Sequence, residues 1–261
     1  MLVVGCQFDI VWEDKPANFA QVRKLLATSA IEKGSLIVLP EMFATGFSLA
    51  VDEIAEETGG PTHEFLADLA RQWQSYVIGG IVARDRDGRG LNRALVMGPG
   101  GELVAEYTKL HPFSFGGETG CYAAGSEVVV ADVGEFRTAI AICYDLRFPE
   151  LLRQAVVSGA NLIVVIANWP EARDVHWQAL LVARAIENQA YVVGVNRTGN
   201  DPQLAYAGHS MIVDPRGHTL FLADSQPQLL VADLDLASLV EYRRTFPALA
   251  DMRPDLLGRL A

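Results

Sequence analysis

With 261 residues, half of them hydrophobic and a fifth charged, the chain can bury a full core and suits one α/β domain, or at most two. Its formal charge of −11 argues against a nucleic-acid or anionic-membrane partner, since either calls for a basic face. Three cysteines (Cys6, Cys121, Cys143) and five scattered histidines form neither a disulfide framework nor a metal-ligand spacing, so no metal is expected.

In chain order, LVVGCQFDI (2–10) reads as a strand and, lacking a basic lead-in, not as a signal peptide. In 18–33, Phe19, Val22, Leu25, Leu26 and Ala30 fall on one helical face. The apolar run LIVL (36–39) has the character of a buried strand and stops at Pro40-Glu41. Phe65, Leu66, Leu69 and Trp73 mark a second helix over 63–75. MGPGGE (97–102) is turn chemistry between strands, and the strand ELVAEY (102–107) runs into Thr108-Lys109. A further strand, TAIAI, ends at Cys143-Tyr144-Asp145, and LIVVIA (162–167) ends at Asn168-Trp169-Pro170. No apolar run approaches the roughly 18 residues of a membrane span. A soluble, cytoplasmic protein is expected.

The chain repeats itself. LVVGCQFDI resembles TAIAICYDL (138–146), and SLIVLPE (35–41) resembles NLIVVIA (161–167). HEFLADLARQWQSYVIGG (63–80) resembles HWQALLVARAIENQAYVVG (176–194), and LVMGPGGEL (95–103) resembles MIVDPRGHTL (211–220). Each half reads strand, helix, strand, helix, strand, strand. Two such units, each with helices on one side of an apolar sheet, bury their open sheet faces against each other. The expected product is a four-layer αββα sandwich, one domain over 1–261, with a C-terminal arm at about 236–261 that falls outside the repeat and is a candidate to pack on a partner subunit.

Ligands gather at the carboxyl ends of parallel strands. There the sequence places a carboxylate, Glu41, a thiol, Cys143, and, after the last strand of the first half, an amine, Lys109. A free thiol with a pKa near 8.5 needs a base or a cation to become a good nucleophile. Glu41 suits the first role and Lys109 the second, with the backbone N–H of Tyr144 as a further oxyanion donor. Taken singly, each has a plainer reading: a packed cysteine like Cys6 and Cys121, an exposed acid, a solvated lysine. Spacing alone leaves both readings open. His176 suggests a cysteine–histidine pair of the protease type, but the local signature such a pair needs around the cysteine is absent.

LPEMFATGF, EYTKLHPFSFGGETGCYAAG and ICYDLRFPELLRQAVVSGANLIVVIANWP resemble the three signature regions of the nitrilase, or carbon–nitrogen hydrolase, superfamily. HWQALLVARAIENQAYVVGVNRTG and GHSMIVDPRG extend the resemblance to about residues 2–235. It implies a Glu–Lys–Cys triad at Glu41, Lys109 and Cys143, an αββα sandwich, a homodimer joined through helical faces, and no cofactor. It also implies a second acid at Glu118, placing substrate or water and holding Lys109 charged, although the Gly116-Gly117 pair beside it departs from the family pattern. CYDLRFP, ANWP and HWQALLVARAIENQ look most like the omega-amidase branch, which acts on 2-oxoglutaramate and 2-oxosuccinamate. Arg147 is then a candidate grip for a substrate carboxylate, or else an ion-pair partner of Glu150 or Asp145. Trp169 is a candidate pocket wall, and Arg184, Glu187 and Asn188 a polar network behind the site. A nucleophilic Cys143 is expected to have a lowered pKa and to alkylate faster than Cys6 or Cys121. The alternatives are a nitrile, an N-carbamoyl amino acid or deaminated glutathione as substrate, or a non-catalytic scaffold, which the intact triad argues against.

Overall fold

Strands whose residues are apolar on both faces form the centre of the molecule. A computed structural model describes residues 1–85, 87–253 and 255. The first half comprises β1 (Leu2–Gln7), α1 (Lys15–Leu26), β2 (Leu36–Val38), α2 (Val51–Ile54), α3 (Pro61–Trp73), β3 (Tyr76–Arg84), β4 (Gly90–Met97) and β5 (Leu103–Thr108). A short helix, α4 (Glu118–Cys121), lies in the crossover. The second half comprises β6 (Val130–Val133), β7 (Phe136–Ile142), α5 (Pro149–Val157), β8 (Leu162–Ala167), α6 (Asp174–Asn188) and β9 (Tyr191–Asn196). It continues through a hairpin, β10 (Thr198–Asn200) and β11 (Ala205–Ala207), to β12 (Met211–Val213) and β13 (Thr219–Leu222). Last come β14 (Gln228–Asp233) and α7 (Leu236–Thr245).

One six-stranded sheet has the order β14-β1-β2-β3-β4-β5 and the other β13-β12-β9-β8-β7-β6. Reversing the second gives the same sequence of roles, so the repeat in the chain is a repeat in space. In each sheet the three central strands are parallel (β1, β2, β3 and β7, β8, β9) and the outer neighbours antiparallel. The two equivalent helices, α3 and α6, even end alike: Gln74 and Gln189 both adopt the left-handed conformation, at φ 49° and 45°.

Period-two alternation divides each strand between two cores. Leu36, Val38, Leu162, Val164 and Ile166 point into the layer between the sheets, where Ile78 and Val193 join them. Their chain neighbours face outward: Ile37 meets α1 and α3 through Val22, Phe65 and Leu66, while Ile163 and Val165 meet α5 and α6 through Leu152 and Leu181. The four layers follow directly.

One expectation shifts. The first helix begins at Lys15, not residue 18, because Asp14 accepts from the Ala17 N–H and Pro16 sits in the first turn, and it ends before Ala30. As far as residue 253, the C-terminal arm packs on its own chain. Leu239 is buried, and Arg243 donates to the carbonyls of Gln189, Ala160 and Asn188. Residue 254 and residues 256–261 of that arm lie outside the described residues.

Candidate active site

The carboxyl ends of the parallel strands meet at one edge of the sandwich. β2 delivers Glu41 and β7 delivers Cys143. β4 and β5 each reverse direction, so β5 again runs parallel to β3 and brings Lys109 to the same edge. β8 delivers Asn168, which stitches the two halves together: its backbone N–H donates to Glu41 Oε2 at 2.8 Å and its side-chain amide to the Glu41 carbonyl at 2.6 Å.

Glu41, Lys109 and Glu118 form a buried cluster with almost no solvent contact. Lys109 Nζ donates to Glu41 Oε1 at 3.0 Å and to Glu118 Oε2 at 2.9 Å. Asn92, on β4, donates from one Nδ2 to both acids, at 2.7 Å to Glu41 and 2.8 Å to Glu118. Phe113 N–H donates to Glu118 as well. Burial alone would push the Lys109 ammonium down, but the two carboxylates outweigh it and hold it charged. Glu41 can sit so deep because β3 has no side chain beneath it. A Cβ on Gly80 would come within 2.4 Å of the Met42 nitrogen and 2.7 Å of Glu41 Cα.

Cys143 is the first residue after β7 and has a left-handed φ of 48°, a conformation costly for a residue with a side chain. A 3-10 turn, Cys143–Arg147, follows. Two buried groups hold this elbow. Asp145 accepts from Ile142 N–H (3.0 Å), His111 N–H (3.0 Å), His111 Nδ1 (2.8 Å) and the Tyr107 hydroxyl (2.7 Å), tying the cysteine turn to the Lys109 segment. Arg184 donates twice to the Leu146 carbonyl, at 3.1 and 2.8 Å, and once to Glu187, while Asn188 donates to the Arg184 carbonyl. The expected polar network therefore lies behind the site.

The expectation of a readily ionised thiol is corrected. Burial pushes Cys143 well above the ordinary thiol range, the facing Glu41 carboxylate adds to this, and Lys109 only partly opposes it. Two carboxylates against one ammonium leave the cluster negative, and a negative cluster favours the neutral thiol.

Cys143 and Lys109 open onto a cavity of about 180 Å³. Its walls carry the rings of Trp12, Phe47, Phe113, Tyr144, Trp169 and Tyr206. Trp169 is one of these walls. Arg147 lines the cavity too, and it pairs with neither Glu150 nor Asp145: its guanidinium lies over the Trp169 ring at 4.8 Å and meets His176 Nδ1 at 3.0 Å. His176 is exposed and turned to Arg147, so the cysteine–histidine reading fails. Sequence reading passed over Asn92, Arg173 and Tyr206, and gave Asp145 and Asn168 no part in the site. The visible signal was weak: a polar Asn92 inside an apolar strand, and an acid two residues past the cysteine.

The carbon–nitrogen hydrolase family model matches residues 3–244. A 2-oxoglutaramate amidase from Bacillus subtilis is 35% identical, covering 97% of this chain and 98% of that protein. The omega-amidase YafV of Yersinia enterocolitica is 41% identical over 96% of each. Among solved structures, XC1258 from Xanthomonas campestris, a CN-hydrolase superfamily protein with an arsenic adduct in its active site, superposes with a TM-score of 0.91 at 35% identity, covering 97% of each chain. The chain belongs to the carbon–nitrogen hydrolase family. It is an enzyme of that class, built on the family's sandwich fold.

Proposed function

We propose that the chain is a cysteine-dependent omega-amidase, hydrolysing the terminal amide of a small 2-oxo acid amide such as 2-oxoglutaramate or 2-oxosuccinamate. One arrangement carries this reading: the Glu41–Lys109–Glu118 cluster beside Cys143 at the base of a cavity that also holds Arg147. The relatives named as 2-oxoglutaramate amidase and omega-amidase support the branch.

The resting thiol is neutral, so activation coincides with attack. Glu41 takes the Cys143 proton as Sγ bonds to the amide carbon. Two Lys109 protons face the acids, and the third, with the Tyr144 N–H at the unpaired start of the 3-10 turn, meets the oxyanion. Glu41 then passes its proton to the nitrogen, the C–N bond breaks, and ammonia leaves a thioester on Cys143. Water, deprotonated by Glu41, attacks the thioester. The C–S bond breaks, the acid departs, and the proton returns to sulfur. Glu118 keeps Lys109 charged and in place. Arg147 offers its planar edge to the carboxylate at the far end of the substrate.

Exposed apolar side chains on the α5–α6 layer, Val157, Val175 and Ile186, support a homodimer through that face. Three free thiols suit the reducing cytoplasm, and among the described residues no helix is long and apolar enough to cross a membrane. The test is ammonia release from 2-oxoglutaramate, 2-oxosuccinamate, glutamine, N-carbamoyl-β-alanine and a simple nitrile, with Cys143→Ala as the blank. Release confined to the 2-oxo acid amides is expected; release confined to the nitrile or the carbamoyl compound would replace this substrate assignment.

A further inference from the structure

Two guanidinium groups line the cavity, and neither has a carboxylate partner among the described residues. Arg147 lies on Trp169 and uses one Nη on His176. Arg173, from the short turn Glu171–Arg173 that leads into α6, lies over the Phe113 ring at 5.4 Å. Its side chain makes no hydrogen bond among the described residues. Other arginines with little exposure are engaged: Arg184 on Leu146, Arg197 on Asp9, Arg243 on three carbonyls. A guanidinium stacked on an aromatic face keeps its in-plane N–H edge free, and that edge is what matches a carboxylate. One indole sets both groups. Trp169 carries Arg147 on its face, and its Nε1–H donates to the Arg173 carbonyl at 2.8 Å.

We propose that Arg173 acts with Arg147 as a two-guanidinium cradle for the 2-oxo acid end of the substrate, and that this pair selects against amides bearing an α-ammonium group. The proposal rests on the amidase reading above. A 2-oxo acid head presents three acceptor oxygens, two from the carboxylate and one from the ketone. The corresponding α-amino acid replaces the ketone with a cationic donor. Beside two guanidiniums that group meets like charge, and donor faces donor. Asp201, a carboxylate lining the same cavity, removes only one of the two positive charges and is turned to its own loop. Its oxygens already accept from the Gln203 and Leu204 N–H groups and the Tyr206 hydroxyl, within its own loop.

Arg173→Gln and Arg173→Lys test the cradle in two ways. Calorimetric binding of 2-oxoglutarate, the dicarboxylate product, reads it without turnover. Arg173→Gln is expected to weaken that binding tenfold or more, and Arg173→Lys to recover part of it. In turnover, Arg173→Gln is expected to raise KM for 2-oxoglutaramate by more than it lowers kcat, and to narrow the preference over glutamine about tenfold. A wild type that does not bind the dicarboxylate, or an Arg173→Gln Kd within twofold of wild type, overturns the proposal. So does an equal loss on glutamine and 2-oxoglutaramate. Arg173-dependent binding in an enzyme that releases no ammonia from 2-oxoglutaramate upholds the cradle and overturns the amidase reading instead.

Discussion

The depth at which Glu41 sits depends on one missing methyl group, and Gly80→Ala restores it. The added Cβ would lie 2.4 Å from the Met42 nitrogen, 2.7 Å from Glu41 Cα and 2.9 Å from its carbonyl carbon, where ordinary contacts begin at 3.4 Å. All three are backbone atoms, so no side chain can swing aside. The 41–42 segment must retreat by about 1 Å, the difference between 2.4 and 3.4 Å. A displacement of that size at a reacting group lowers turnover roughly a hundredfold. Overpacking of this kind costs about 1–3 kcal/mol in stability, so the variant should stay folded. The assay is kcat on the best amide of the panel, with a thermal melt alongside and Gly120→Ala as control, since nothing lies within 4 Å of a Cβ there. A folded Gly80→Ala enzyme with kcat within threefold of wild type would refute the reasoning.

Three further outcomes follow from the same geometry. Glu118→Gln removes a charge that helps hold the Cys143 thiol protonated. Iodoacetamide should therefore modify Cys143 several-fold faster at pH 7 while kcat falls, and slower modification would contradict the charge balance. Lys109→Met should lower kcat at least a hundredfold and leave two buried carboxylates facing each other without a cation. Removing one partner of a buried ion pair leaves uncompensated charge and costs about 3–5 kcal/mol, so the variant should melt well below wild type; an unchanged melting temperature would count against the cluster. Asp145→Asn puts an NH₂ where four donors converge. It should cost about 1–3 kcal/mol and reduce turnover, which denaturant melts and kinetics check together.

How much of this was legible in the chain depended on burial. Runs such as LIVL and LIVVIA are continuous because both faces are covered, so the central strands, the repeat and the sandwich could be read directly. β6 and β14 are edge strands with mixed exposure, and their sequences carry no clear alternation. Glu41, Lys109 and Cys143 stood out as strand-exit residues, but spacing left their plainer readings open, and only the family resemblance joined them as a triad. Asn92 and Asp145 did not stand out, since Asn92 reaches Glu41, 51 residues distant, and Asp145 holds Tyr107, 38 residues distant. Arg173 hid in a short turn whose contact with Phe113 no local pattern encodes. The thiol's protonation was within reach: one lysine, two acids and burial give its sign by counting charges.

The pairing of β14 with β1 has a consequence for synthesis. When Lys109 leaves the ribosome, the acid and the amine of the site are already outside, but the nucleophile is not. The sheet that carries them still lacks an edge strand, supplied only from residue 228 onward. Its inner face, with Val3, Val38, Ile78 and Val96, has nothing to lie against until β7, β8 and β9 arrive. Translation of that remainder takes on the order of ten to thirty seconds. For that interval the nascent first half presents a sticky surface and an unpaired edge, so yield in the cell depends on elongation rate and chaperone supply as well as on the finished fold's stability.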